Sequence, residues 1–526
     1  MYTSLILLAS SNTIYVLSVC VAILAFMLIA ECNTKKLRKL IDLLSTENMM
    51  IIKTADNTQK IINKAPGPKP LPIIGNLAVL DGYEVPYQAF NDLSKKYGNI
   101  ITLQLGSVPA LVVNGLENIK EVLIYKGQHF DGRPNFRRYH QLFCGNKENS
   151  LAFCDWSDLQ KMRRDMLVPH TFPRNFSTRH NQLNEIVTDH LETMLNEFST
   201  KKTLDIKPII LQTCANIFMK YFTSKSFDTN DRDFQRLISN FDKIFYEVNQ
   251  GYAADFLPFL QPLHRNNMKR MAQWSEEIRN VILKCIVEDR FENWQEGDEA
   301  QDYLESLIEH VKSEALPKMD WDTALFALED IVGGHAAVGN FLIKIFGYIA
   351  VRPDIQCKIQ SEIENTLNSH ERESNAIEIG DRNRMPYTEA VIMESLRMIS
   401  SPIVPHVTNQ DTTVAGFDVP KDTLIFLNNY DLNMNPKLWT QPETFTPERF
   451  INASGSISKP DHFMPFGSGR RSCMGYKICQ MLAFTLLANT LNKFDVVTVE
   501  NQNYKVQCGS LAMPEETYQL HFVARQ

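Results

Sequence analysis

The sequence predicts a mainly α-helical domain with small β-sheets (α+β), preceded by one N-terminal transmembrane helix. Three observations support this fold class. A long uncharged apolar stretch lies at the N-terminus. Two short segments with alternating polarity, residues 100–113 and 414–427, carry glycine and proline at their turns and indicate hairpins. Helical periodicity dominates the middle of the chain and is clearest over residues 184–198, 324–351 and 387–398.

The first 33 residues are expected to form a membrane anchor. Residues 1–30 carry no charged side chain, and residues 14–30 are almost wholly apolar. Together with the apolar residues before them, they are long enough to span a hydrocarbon core of about 30 Å as a helix. Lys35, Lys36, Arg38 and Lys39 follow directly. Because excess positive charge marks the cytoplasmic side, the rest of the chain is expected to face the cytosol.

A cleaved signal peptide is the alternative for this segment. It is disfavoured because no basic region precedes the apolar stretch, which is also long for a signal sequence.

Residues 34–72 are expected to be a basic linker and a proline-rich hinge, and residues 73–526 one catalytic domain. Prolines alternate with other residues over 65–72, which holds that segment extended and stiff. No Gly/Ser-rich or Pro-rich stretch divides the chain after the hinge, so one large domain is the simpler interpretation.

Composition limits the partners and the compartment. The chain has 54 Lys and Arg against 61 Asp and Glu, a net charge of −7, which argues against nucleic acid as the main partner. The 10 cysteines show no paired framework, so they are expected to be free thiols in a reducing compartment. No C-x-x-C pair occurs, which disfavours a zinc site.

The most informative segment is the pattern F-x-x-G-x-R-x-C-x-G over residues 466–475. It places Cys473 in a glycine-punctuated loop just before an apolar helix predicted over 476–489. Backbone N–H groups near a helix N-terminus favour a thiolate. Phe466 offers an aromatic wall, and Arg471 a cation that can pair with an acidic group beside it. These surroundings suit the proximal face of a haem; a buried structural cysteine is the alternative, which the full spacing disfavours.

This pattern resembles the haem-binding loop of the cytochromes P450, and the resemblance covers nearly the whole chain. It implies the P450 fold, haem b as the cofactor and Cys473 as the metal ligand. NADPH would act only through a partner, NADPH–cytochrome P450 reductase, and cytochrome b5 is a further candidate partner. The residues that the resemblance assigns to cofactor binding are Arg163, His406, Phe466, Arg471, Cys473 and Gly475.

The resemblance assigns Arg163, His406 and Arg471 to the haem propionates, although His406 could instead be a surface histidine. The family usually has Trp four residues before the first of these arginines. Here that position is Leu159, and Trp156 lies one turn earlier. The basic residues considered as reductase contacts, which could equally be ordinary surface charges, are Lys161, Arg164, Arg470 and Lys477.

Glu394 and Arg397 lie three residues apart on one face of a predicted helix. As an exposed pair they would contribute only tenths of a kcal/mol, about 0.2–1 kcal/mol at most. A Pro-Glu-Arg-Phe segment containing Arg449 follows about fifty residues later, before the cysteine loop. This order resembles the family's Glu–Arg–Arg triad, which implies a buried structural relay of Glu394, Arg397 and Arg449.

Residues 330–339 align with the family's distal helix, which crosses above the haem. Gly333 and Gly334 are expected to open that helix and leave room for dioxygen. The family usually continues with an acid and a threonine that relay protons. Ala336 and Ala337 occupy these places and cannot donate or accept a proton. The predicted catalytic residues are Gly334, His335, Ala336 and Ala337.

Three solutions to the missing relay are open. A water chain or a substrate hydroxyl could carry the protons. His335 could serve as the acid, since its ordinary pKa suits the task, or it could point away from the haem. The enzyme could also bypass dioxygen activation, as an isomerase, a dehydratase or a peroxide user.

The predicted roof of the pocket is rich in aromatic residues, which suits an apolar, membrane-delivered substrate. The Gly-Gly-His-Ala-Ala segment resembles the Spook and Spookier group of the insect Halloween enzymes, which make ecdysteroid moulting hormone from dietary sterol. The resemblance implies a membrane-bound haem-thiolate monooxygenase of the endoplasmic reticulum, acting early between 7-dehydrocholesterol and the ketodiol. The alternatives are a haem-thiolate sterol isomerase or peroxide-using enzyme, and a non-catalytic haem- or sterol-binding membrane protein.

Overall fold

The structure is a computed structural model that describes residues 49–53, 59–200, 203–295, 297, 300–368 and 375–525. The chain divides into two compact units, Met1–Ala65 with Gly416–Asp418, and Pro66–Ala415 with Val419–Gln526. In the smaller unit, β1 (Met49–Lys53) pairs antiparallel with β2 (Gln59–Asn63). The anchor predicted for residues 1–33 lies outside the described residues.

The larger unit is mostly helical with small sheets, which confirms the predicted fold class. Residues 64–70 of the predicted hinge have no regular secondary structure. The described α-helices are α1 (Pro86–Tyr97), α2 (Leu116–Lys120), α3 (Arg137–Leu142), α4 (Asp158–Thr171), α5 (Thr178–Thr200), α6 (Ile206–Thr223), α7 (Arg232–Val248), α8 (Arg265–Ile282), α9 (Glu288–Asn293), α10 (Tyr303–Lys312), α11 (Trp321–Ala350), α12 (Pro353–Asn368), α13 (Pro386–Ile399), α14 (Asn429–Met434) and α15 (Tyr476–Lys493).

The remaining described strands are short. They are β3 (Ile100–Leu105), β4 (Val108–Val113), β5 (Thr203–Asp205), β6 (His406–Val407), β7 (Thr412–Val414), β8 (Phe417–Val419), β9 (Leu424–Leu427), β10 (Phe494–Thr498) and β11 (Gln519–Ala524). β3 and β4 form the first predicted hairpin. In the second predicted hairpin, the last strand, β9, instead joins this sheet, parallel to β4 and antiparallel to β6. A second sheet has the order β10-β11-β5.

Helix α11 runs through the core of the larger unit. It is apolar on almost every side and buried over most of its length, as expected for a central helix. The Asp320 carboxylate caps its start by accepting from the Thr323 N–H, and Pro353 begins the next helix, α12, three residues after its end. Helix α15, which follows the cysteine loop, is also largely buried and contacts α11. The cysteine loop and the predicted distal segment are thus tied to two central helices.

Within the part of the chain that the structure describes, no single helix has both the length and the apolar character needed to cross a bilayer. Helices α11 and α12 satisfy these criteria only as a bent pair, and α11 is a buried core helix.

Candidate functional site

The cysteine loop is closed by its own backbone. The Cys473 N–H donates to the Phe466 carbonyl across 2.9 Å. Gly469 has a φ of +71°, and a Cβ there would lie 2.0 Å from the Leu123 carbonyl oxygen, so no other residue fits this close approach. At Gly475, by contrast, an added Cβ would meet no protein atom within 4 Å. The expectation that a side chain would clash holds for Gly469 but not for Gly475, which borders open space.

The Cys473 side chain is accessible even though protein atoms surround its sulfur closely enough for burial to raise the pKa of the thiol. A side chain with both properties lines a cavity within the protein. The Gly475 N–H and the Arg164 guanidinium oppose this pKa rise. The cation that acts on the sulfur is therefore Arg164, whereas the sequence suggested Arg471. Metal coordination would deprotonate such a thiol outright.

Three buried basic side chains cluster beside the loop. Arg133 and Arg471 both donate to the Ala152 carbonyl, at 3.2 and 3.1 Å. Burial and the neighbouring Arg471 lower the pKa of Arg133, and burial with Arg133 and Arg471 lowers the pKa of His406. The ring of His406 is bonded to the Phe130 carbonyl at 2.5 Å. His406 is therefore buried rather than a surface histidine.

These arginines lack acidic partners. Arg133 donates to the carbonyls of Ala152, Val404 and Pro405, and Arg471 to those of Ala152 and Cys154. Among the described residues, no Asp or Glu side chain makes an ion pair with either. The Nη1 atom of Arg471 is buried without a hydrogen-bond partner. Buried cations without a counter-charge are costly, so this cluster suits an anionic group.

Helix α4 presents its two neighbouring arginines differently. Arg163 is buried, and it donates to the Asn149 and Glu148 carbonyls at 2.8 and 3.2 Å. Arg164 donates to the Ser472 carbonyl at 2.7 Å, directly beside Cys473. The structure thus brings Arg164, rather than the predicted Arg163, to the cysteine loop.

Trp156, considered as a substitute for the missing tryptophan, contacts a different partner. The Arg470 guanidinium lies over its ring, 5.0 Å from the centroid, and the same guanidinium pairs with Asp131 at 2.9 Å.

The predicted relay residues form one buried cluster. Arg397 binds Glu394 through two hydrogen bonds of 2.7 and 2.8 Å, and both side chains are 0% exposed. Arg449 donates to the same carboxylate at 3.1 Å, and the Thr446 N–H donates to it at 2.8 Å. Both guanidinium groups also lie over the Trp439 ring. Every charge in this cluster is therefore paired.

The distal segment of α11 divides between two faces. Gly333, Gly334 and Ala337 are partly accessible, although the helix lies in the core. His335 and Ala336 are fully buried on the other side. Residues three and four apart share a helix face, whereas residues two apart do not. The accessible face therefore carries no side chain longer than a methyl group between 333 and 337.

The two glycines fit neighbouring aromatic rings, a reason that the sequence did not suggest. A Cβ at Gly333 would lie 2.8 Å from the Phe241 ring of α7, and one at Gly334 would lie 3.2 Å from the Phe218 ring of α6. Close packing of these rings onto the helix backbone, rather than room for dioxygen alone, accounts for both glycines.

His335 does not fit the proton-donor role considered from the sequence. Its Nδ1 atom is bonded to the Val332 carbonyl at 2.8 Å, and its ring packs edge-on against Phe241 with centroids 5.3 Å apart. Burial lowers the pKa of His335 to about 4, so the imidazole is neutral near pH 7. The side chain is turned away from the accessible face because it lies two residues, about 200°, from Ala337.

Sequence reasoning missed Arg133 and undervalued Arg164. Arg133 stands in an Asp-Gly-Arg-Pro segment, and its neighbour Gly132 bridges to Val407 at the edge of a sheet. That long-range bridge brings it to His406, and no local pattern predicts it. The Arg164 placement could have been weighed from the Arg-Arg pair itself, since adjacent helical residues point in directions 100° apart.

The residues present fit a haem. An accessible thiol lies in a protein-enclosed loop, open space adjoins Gly475, and buried guanidinium groups without acidic partners stand beside it. A haem has an iron that binds thiolate and two propionates that need cations. The chemistry of this donor set matches both requirements.

Comparisons with known proteins agree with this fit. The model of the family described as cytochrome P450 matches residues 65–522. The chain is 38% identical over 497 residues to cytochrome P450 307a1 of Drosophila melanogaster, covering 89% of this chain and 91% of that protein. It is 30% identical over 468 residues to cytochrome P450 1A1 of Chelon auratus, covering 84% and 87%. It is also 30% identical over 459 residues to cytochrome P450 1A5 of Gallus gallus, covering 83% and 84%. The chain therefore belongs to the cytochrome P450 family of haem-thiolate monooxygenases, which receive electrons from a reductase partner.

Proposed function

We propose that this monooxygenase oxidises a sterol at an early step of ecdysteroid biosynthesis, with 7-dehydrocholesterol as substrate. The observation that carries the proposal is the Gly-Gly-His-Ala-Ala segment of the distal helix, which resembles the Spook and Spookier enzymes. The 38% identity to an insect P450 over most of both chains is consistent with it. The aromatic lining favours an apolar substrate: Phe241 and Phe218 pack on the distal helix itself.

Within this proposal, Cys473 is the axial ligand and bound haem supplies the iron at which dioxygen is activated. Arg133, His406 and Arg471 hold the propionates as donors, and Arg164 fixes the cysteine loop through Ser472. Neutral His406 donates a hydrogen bond, while the arginines supply the positive charge. Glu394, Arg397 and Arg449 hold the segment that leads to the loop.

A second candidate function is a sterol isomerase or a peroxide-using enzyme. One specific observation favours it: Ala336 and Ala337 leave the distal helix without the acid and the hydroxyl that usually relay protons. Such an enzyme would need no reductase, so the two candidates differ in their co-reactants.

Product analysis of the full-chain holoenzyme tests the proposal. The enzyme is reconstituted with reductase and NADPH, supplied with 7-dehydrocholesterol, and compared with the same enzyme given hydrogen peroxide or no co-reactant. The proposal expects an oxidised sterol only with NADPH and reductase. Conversion without any co-reactant would establish an isomerase, and conversion with peroxide but not with NADPH would establish a peroxide user. An unchanged sterol in all three arms would overturn the substrate assignment.

We further propose that residues 1–33 anchor the protein in the endoplasmic reticulum membrane as a single span, with the catalytic domain in the cytosol. The apolar stretch and the basic residues after it support this topology. The sequon at Asn175 includes Phe176, whose side chain is 90% exposed, so glycosyltransferases could reach it in the lumen. The proposal expects no sugar at Asn175 or at the second sequon, Asn452. Endoglycosidase-sensitive sugar on either would reverse the topology.

A further inference from the structure

The distal helix lacks its own acid, but an acid from another helix reaches it. Asp242 lies on α7, and its Oδ1 atom accepts a hydrogen bond of 2.9 Å from the Asn340 side chain on α11. The same Asn340 nitrogen donates to the Ala336 carbonyl at 2.8 Å. One amide nitrogen therefore links the Asp242 carboxylate to the residue where the family usually has an acid.

A buried network holds Asp242 in this place. The Lys207 ammonium on α6 lies 2.7 Å from the second carboxylate oxygen, and it also donates to the Met513 and Pro514 carbonyls. The Met513 N–H donates to the Asn340 side-chain oxygen at 3.1 Å. Three helices and the C-terminal segment thus converge on one carboxylate. Its orientation is set by groups whose hydrogen bonds are all satisfied.

The position of this carboxylate along α11 matches the missing relay. Asn340 lies three residues after Ala337 and therefore on the same helix face, which includes Gly333. Ala336 and Ala337 leave space where longer side chains would stand. A water molecule there would have two polar partners, the Ala336 carbonyl and the Asp242 carboxylate, as an ordered bridging water requires.

Other acids near the distal helix are engaged elsewhere. Glu329 pairs with Arg279 at 3.0 Å, and Asp330 accepts from the Ser150 hydroxyl and the Leu151 N–H at 2.8 and 2.6 Å. Both precede Ala337 by seven or eight residues, about 10–12 Å along a helix. Asp242 is in contact with the segment that follows Ala336, and its side chain retains 11% exposure, which allows reprotonation from solvent.

We propose that Asp242 is the proton-relay residue of this enzyme, donated to the distal site by helix α7 in place of an acid on α11. The overall reaction is RH + O₂ + NADPH + H⁺ → ROH + H₂O + NADP⁺. Two electrons come from NADPH through the reductase, and two protons leave one oxygen atom of O₂ as water. Asp242 passes these protons inward through water beside Ala337, and solvent returns them to its carboxylate. Without that delivery, the same two electrons and two protons give H₂O₂.

The test is Asp242→Asn in the full-chain holoenzyme with reductase and NADPH. Peroxide formed per NADPH consumed is measured with 7-dehydrocholesterol and without sterol, together with the solvent deuterium effect. We expect peroxide to take most of the electrons, product per NADPH to fall at least about tenfold, and the solvent deuterium effect to rise. Asp242→Glu, which keeps the acid, should recover most of the coupling. The matched control is Glu389→Gln, which removes the carboxylate of another largely buried ion pair, with Arg382, and should leave coupling unchanged.

Lys207 would lose its charge partner in the first variant, so the double variant Lys207→Met/Asp242→Asn is measured as well. Coupling within twofold of the wild type, in either variant with normal haem content, would overturn the proposal. Loss of haem from both variants would also contradict it, because the network would then be structural. Coupling that stays low in Asp242→Glu would do the same. A wild type that leaves the sterol unchanged refutes the substrate proposal alone, since the peroxide ratio still tests Asp242.

Discussion

Removing the Glu394 carboxylate should destabilise the segment before the cysteine loop more than any surface change. Glu394→Ala deletes four hydrogen bonds, two from Arg397, one from Arg449 and one from the Thr446 N–H. It also leaves the fully buried Arg397 guanidinium without a counter-charge. Breaking a buried pair in this way costs about 3–5 kcal/mol. Each 1.4 kcal/mol is a factor of ten, so the opened form should become roughly two to four orders of magnitude more populated.

The assay is haem content per polypeptide, with the thermal midpoint of the haem-bound protein as a second readout. We expect Glu394→Ala to yield little holoprotein, and we expect Arg397→Ala to behave alike because it strands the same carboxylate. The matched control is Glu448→Gln, next to Arg449 in sequence. Glu448 pairs with Lys358, and these side chains are 48% and 54% exposed, so the loss should be within about 1 kcal/mol.

Normal haem content in Glu394→Ala would refute the relay. So would an equal loss in Glu394→Ala and Glu448→Gln, because the effect would then not depend on the buried pairing.

Three further predictions concern the haem site. Arg133→Gln removes a buried cation of the anion-binding cluster and should speed haem dissociation measured by transfer to apomyoglobin, whereas Arg137→Gln, on an exposed side chain, should not. Gly333→Ala drives a Cβ to 2.8 Å from the Phe241 ring, so it should lower the thermal midpoint through overpacking of about 1–3 kcal/mol; an unchanged midpoint would contradict the packing. Ala337→Thr adds a hydroxyl on the accessible face and should lower peroxide per NADPH if that hydroxyl is what limits coupling, whereas an unchanged ratio would show that another donor already acts.

Local sequence patterns predicted the parts of the site that lie close together in the chain. The cysteine loop and the Glu394–Arg397 pair are each contained within one turn or one helix, where spacing fixes geometry. Helical periodicity could also have placed His335, because a residue two positions before Ala337 lies on another face. That argument from the helix alone weighs against the proton-donor role, and the bond to Val332 agrees with it.

Long-range contacts explain what the sequence did not reveal. Arg133 reaches His406 through a bridge between segments almost 280 residues apart, from Gly132 to Val407. Strand β9 pairs with β4 across more than 300 residues, which no turn signal predicts. Asp242 looks like an ordinary charge on an amphipathic helix, and only the packing of α6, α7 and α11 shows that it meets Asn340. Tertiary packing, rather than propensity, decides these contacts.

The central claim is that the sulfur of Cys473 binds the haem iron, and the carbon monoxide spectrum of the reduced protein tests it most directly. The account predicts the red-shifted absorbance of a thiolate-bound haem in the wild type, and its loss in Cys473→Ser even when that variant retains haem. A wild type that stays colourless when supplied with haem, or a Cys473→Ser protein with the wild-type spectrum, would contradict the account.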